Sequence, residues 1–161
     1  MINYIYQLIS PQVFSIKYED INLGEKVIVR PRYMAICHAD QRYYLGKRNM
    51  EVLNKKLPMA LIHECCGEVV CDKSGKFKVG QNVIMIPNVP GKNKTGIYEN
   101  YLDDSSFLSS SSDGFMREFV ALDHDRLVTF ENISLQIASI CEFISVGVHA
   151  VNRFISCSHD H

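Results

Sequence analysis

No stretch of this 161-residue chain approaches the roughly eighteen consecutive apolar residues of a membrane span. The formal net charge is only −1, so no bulk charge favours nucleic acid or an anionic membrane surface. The opening MINYIYQLIS has no basic segment ahead of an apolar one. It does not read as a signal peptide, which makes the cytoplasm the expected location. Six cysteines stand at 37, 65, 66, 71, 141 and 157, yet none forms a CxxC pair, which excludes a four-cysteine zinc knuckle. Without export, a disulfide framework is not expected either. Cys65, Cys66 and Cys71, in or near a strand-like run, are expected to be buried as small hydrophobes.

What is present suits one soluble domain with a sizeable core. The first two-thirds read as β-rich. Lys26–Cys37 is dense in branched residues and interrupted by Pro31. Gly67–Val70 and Val83–Pro87 are short apolar runs, with turn signals at Ser74-Gly75 and Gly80 between them. Phe115–Leu122 alternates like a half-buried strand. Short strands at this spacing predict a compact barrel. Residues 88–114 are polar, and predict a long surface excursion in which Ser109–Ser112 form a solvated loop, with a lid as the alternative. The last third turns helical, with Ser134 placed to cap LQIAS and apolar residues at helical spacing from Glu142 to Phe154.

Three stretches offer ligands for one metal centre: Cys37, the pair His63-Glu64, and Glu142. A thiolate, an imidazole and two carboxylates suit zinc, and such a site can leave one position open for a substrate oxygen. Each ligand has a plainer reading. Cys37 ends an apolar run and could be a buried structural cysteine. His63 and Glu64 could be an ion-paired turn, since adjacent residues on a regular strand face opposite ways. Joint ligation needs a bend, which Gly67 would ease. Asp40 could take the second imidazole hydrogen bond of His63, or be a turn aspartate. Arg42, Lys47 and Arg48, with Tyr43 and Tyr44, form either a phosphate clamp or a solvated basic face. The tail Cys157-x-His159-x-His161 is at most a weak metal site.

In this order, KVIVRPRYMAICHAD, LPMALIHECCGEVV, FKVGQNVIMIP, DGFMREFV and EFISVGVHA resemble the medium-chain zinc alcohol and polyol dehydrogenases. IYQL, CHADQRYYLGKR, KLPMALIHE, YENYL and FMREFV are similar to the ribulose-5-phosphate reductase branch. The resemblance implies a mainly β, GroES-like barrel with C-terminal helices as the catalytic half, over residues 1–154. It implies one zinc ion on Cys37, His63, Glu64 and Glu142, the last touching the metal or its water. NADPH would be the hydride donor and the carbonyl of ribulose 5-phosphate the acceptor. The ribitol 5-phosphate formed would feed CDP-ribitol for teichoic acid or capsule polymers. A cytidylyltransferase partner and an oligomer are compatible with this reading. Arg42, Tyr43 and Arg48 are the candidate contacts for the sugar phosphate.

Three departures accompany the resemblance. Ala39 stands where many relatives carry a Ser or Thr proton relay, leaving water or a neighbour such as His38. The lobe at residues 88–114 has none of the four cysteines that hold a structural zinc in many relatives. None of the nine glycines forms the G-x-G-x-x-G turn of a Rossmann domain, and 155–161 reads as a truncated tail. Two other readings remain: a zinc polyol dehydrogenase of another substrate, and a non-catalytic, truncated metal-binding module.

Overall fold

A computed structural model describes residues 1–22, 24–91 and 102–158. The chain opens on an antiparallel hairpin, β1 (Ile2–Ser10) and β2 (Val13–Asp20), turned at Gln12 with φ 65°. β1 buries Asn3 and Ile5 on one face and Leu8 on the other. The buried Asn3 amide is satisfied at both ends, donating to the Phe119 carbonyl and accepting from the Phe119 N–H, each at 2.9 Å. Then come β3 (Val27–Ala35), α1 (His38–Tyr44), α2 (Met50–Lys56), β4 (Met59–Ala60), β5 (Glu64–Cys71) and β6 (Asn82–Met85). β7 (Asn88–Val89) and β8 (Ser106–Phe107) form a short ladder, followed by β9 (Val120–Leu122) and β10 (Leu127–Thr129). α3 (Leu135–Ser139) and α4 (Cys141–Ser158) end the described chain.

Two sheets carry the fold, one in the order β2-β1-β4 and the other β10-β6-β5-β3-β9. The main core lies against the larger sheet, around Val29, Val69, Val83, Met85, Phe115 and Val120. A second cluster joins Leu8, Tyr43, Leu53, Met59, Leu61 and Ile62, and Met34 packs against both. The second cluster seats α1 and α2 beside the strand ends that carry Cys37 and His63.

Pro31 is tolerated inside β3 because β9 pairs only with Val27–Val29. Beyond that, one edge of β3 needs no donor. The β3–β5 register shifts between Pro31 and Tyr33, and Gly67 lies opposite Pro31. A Cβ at Gly67 would run into the Arg30 carbonyl oxygen, so this glycine serves the close approach of two strands.

The structure alters several expectations. The hairpin β1–β2 and the helices α1 and α2 lie where no element was expected. The expected strand over Phe115–Leu122 contracts to Val120–Leu122. The chain before it bonds to different elements in turn: Phe115 N–H to the Ile62 carbonyl, Met116 N–H to Leu61, and Glu118 N–H to Tyr4. Its pairing with β1 is limited to one antiparallel bridge, Ile5 opposite Arg117. Cys65 and Cys66 are buried as expected, whereas Cys71 is only partly so. Ser109 is 4% exposed, so this part of the serine run is not a solvated loop. Residues 92–101 of the expected excursion, and His159 and His161 of the tail, lie outside the described residues.

Candidate metal centre

Cys37 is the N-cap of α1 and takes part in a reciprocal cap. Its sulfur accepts the Asp40 N–H at 3.4 Å, and Asp40 Oδ2 accepts the Cys37 N–H at 3.1 Å. The sequence Cys-x-x-Asp thus satisfies two orphan donors of a helix start while presenting the sulfur at the helix end. His63 and Glu64 stand at the mouth of β5. The bend that frees them from strict alternation falls at Ile62, with φ 71°, and not at Gly67. Glu142 occupies the first turn of α4.

These elements converge on His63. Ligand atoms of Cys37, Asp40 and His63 lie within 4.8 Å of one another, and so do those of His63, Glu64 and Glu142. Glu64 is buried, while Cys37, His63 and Glu142 are partly exposed. The imidazole ring also meets Phe107 edge-on, with centroids 5.3 Å apart.

Asp40 is buried, and both its oxygens are engaged. Oδ1 accepts the Ile62 N–H at 3.0 Å and the Ser109 hydroxyl at 3.2 Å, while Oδ2 takes the Cys37 N–H. Among the described residues no hydrogen bond joins Asp40 to His63. Its carboxylate instead ties the backbone before α1 to the backbone before His63. With both oxygens engaged, it organises the cluster and has less acceptor capacity left for direct ligation.

The electrostatics fit a cation. Burial pushes the Cys37 thiol up to about 11, a shift its contacts with Asp40 partly oppose and partly reinforce. Burial raises Glu64, and the facing Glu142 charge raises it further against the pull of His63. Glu142 is raised by burial as well, and His63 opposes the shift. Three acidic groups are thus held toward their protonated forms, in a donor set of one sulfur, one nitrogen and carboxylate oxygens. A divalent ion supplies the charge that would reverse those shifts, and this mixed set suits zinc. A cavity of about 270 Å³, lined by Ile84, Met85, Ile86, Pro87, Cys141 and Glu142 among others, adjoins this carboxylate. Another, of about 430 Å³, has Asp40 in its wall beside Phe14, Ile36 and Tyr44.

The expected phosphate clamp is a looser grouping. The exposed Arg42 donates through Nε to the Lys47 carbonyl at 3.4 Å. The Arg48 guanidinium lies 4.7 Å from the centroid of the Tyr43 ring, and its buried Nε has no hydrogen-bond partner among the described residues. Phe107 and Ser109, which touch the centre, escaped sequence reasoning. Nothing in a polar, serine-rich stretch marks them.

The pattern of the alcohol dehydrogenase GroES-like domain matches residues 24–132. The chain belongs to that family. Ribulose-5-phosphate reductase of Streptococcus pneumoniae is 52% identical over 99% of this chain and 47% of its own length. Sorbitol dehydrogenase of Bacillus subtilis is 32% identical over 83% of this chain and 39% of its own. In structure the chain is similar to S. aureus TarJ in complex with NADPH, with TM-score 0.77 and 43% identity, covering 98% of this chain and 43% of that one. It spans about half the length of the curated relatives it matches most fully. Among the described residues, no helix is long and apolar enough to cross a membrane.

Proposed function

We propose that this chain is the metal-binding catalytic domain, over residues 1–154, of a zinc-dependent reductase that converts ribulose 5-phosphate to ribitol 5-phosphate with NADPH. The observation that carries the proposal is the meeting of Cys37, Glu64 and Glu142 around His63. Cys37, His63 and Glu64 would hold the ion, with Glu142 on the ion or its water. When bound, zinc supplies a Lewis acid that polarises a carbonyl. The chain's own residues do the rest. Asp40 sets the spacing of the Cys37 and His63 arms. Arg48, stacked on Tyr43 with a spare Nε donor, is the group that would meet the sugar phosphate, and Arg42 is a weaker second. Ribitol 5-phosphate made in the cytoplasm would pass to a cytidylyltransferase. The identity to the Streptococcus pneumoniae enzyme favours the phosphorylated ketose over the free sugar.

Metal analysis of the purified chain tests the first half. The unmodified chain is expected to hold about one zinc per chain, and Cys37→Ser to lose most of it. Equal metal in both would overturn the ligand set. The second half is tested in a chimaera in which this chain replaces the matching half of the Streptococcus pneumoniae relative. NADPH oxidation should be faster with ribulose 5-phosphate than with ribulose, and Arg48→Ala should shrink that preference about tenfold or more. Equal rates with both ketoses would sink the substrate assignment.

A further inference from the structure

The end of β8 and the turn that follows it reach the metal centre at two points. Phe107 sets its ring against the His63 imidazole at an interplanar angle of 66°. Two residues later, Ser109 donates its hydroxyl to Asp40 Oδ1 at 3.2 Å. That carboxylate already holds the Cys37 and Ile62 N–H groups, so Ser109 adds a third tie to the brace between the two ligand arms. Ser109 sits at φ 63°, a region serine rarely visits. The turn around it is closed by its own bonds. Ser109 N–H donates to the Ser112 carbonyl at 2.9 Å, and Ser110 and Ser111 N–H donate to the Phe107 carbonyl at 3.1 and 3.0 Å. Lys56 Nζ donates to the Ser110 carbonyl, fastening the turn to the end of α2.

We infer that Phe107 and Ser109 are positioning residues of the metal centre: Ser109 fixes the carboxylate that spaces the Cys37 and His63 arms, and Phe107 fixes the plane of the imidazole. The inference rests on the metal-centre reading above. A ligand that must be ordered at the moment of binding holds its ion less firmly than one already held in place. A serine-rich surface loop would do nothing of the kind.

The test loads the full chain with Co²⁺ or Zn²⁺ and follows two readouts. One is the rate at which a chelator withdraws the metal, and the other is the visible spectrum of the cobalt form. Ser109→Ala removes the hydroxyl. Ser109→Gly removes it while easing the positive φ, so it tests the same bond if the alanine variant fails to fold. Phe107→Leu keeps apolar bulk and removes the ring. Ser110→Ala, whose hydroxyl makes no hydrogen bond to the centre among the described residues, is the control. Both Ser109 variants should release metal about 10- to 100-fold faster. They and Phe107→Leu should shift the cobalt spectrum, while Ser110→Ala matches the parent. Parent-like release and spectra in the Ser109 and Phe107 variants would overturn this inference alone, provided Cys37→Ser still loses its metal. A parent chain that takes up no metal would overturn both readings.

Discussion

At the scale of single residues, Asp40 shows how one carboxylate can tie three segments of a chain together. Its oxygens receive two backbone N–H groups from opposite arms and one hydroxyl from a third segment. Asp40→Asn keeps the shape but turns one acceptor into a donor facing a buried N–H. Leaving such a group unpaired costs about 1–3 kcal/mol. Urea unfolding of the metal-free chain is expected to register a loss of that size, and a loss below about 0.5 kcal/mol would show the brace to be idle. The sequence made Cys37, His63, Glu64 and Glu142 legible because their chemistry is unusual in an ordinary core. Ser109 was not legible, since a hydroxyl in a run of four serines carries no sign of what it faces.

Among the elements, β5 carries the most information. It contributes Glu64 to the centre, Cys65 to the main core and Gly67 to the crossing with β3. Gly67→Ala should therefore destabilise the fold by about 1–3 kcal/mol through overpacking, and a thermal melt of the variant would reveal it. Cysteine reactivity follows the same burial. Burial pushes the Cys65 thiol far up and Cys66 to about 11. Cys157 stands exposed in the last turn of α4. Alkylation of the native chain should modify Cys157 first and Cys65 and Cys66 last. Early loss of the Cys65 thiol under native conditions would contradict the position of β5. The branched runs that became β3, β5 and β6 were readable from their composition. The hairpin β1–β2 was harder: apart from residue 19, β2 is exposed throughout, so its pattern lacks a buried face. Helices α1 and α2 have only seven residues each, too short for periodicity to mark them.

For the molecule as a whole, the proposed metal would fasten regions distant in sequence. Its candidate ligands come from the start of α1, the mouth of β5 and the first turn of α4. An ion that binds only the folded chain at about a hundred times its Kd stabilises by about 2.7 kcal/mol. For a chain of this size that moves the midpoint by roughly 5–10 °C. Melting with and without a strong chelator is expected to show such a gap in the parent and almost none in Cys37→Ser. A gap that survives the substitution would point to metal bound elsewhere.

The sequence alone determined the β-rich class through composition and local order, and the family and four candidate metal ligands through the resemblance of its motif strings. Tertiary structure alone decided that these residues meet at His63, that the bend lies at Ile62, and that Phe107 and Ser109 reach the centre from the end of β8 and the turn after it. Those facts depend on which strands pair and where two sheets bring their ends. The chain settles them only when it folds, through contacts between residues as far apart as Asp40 and Ser109.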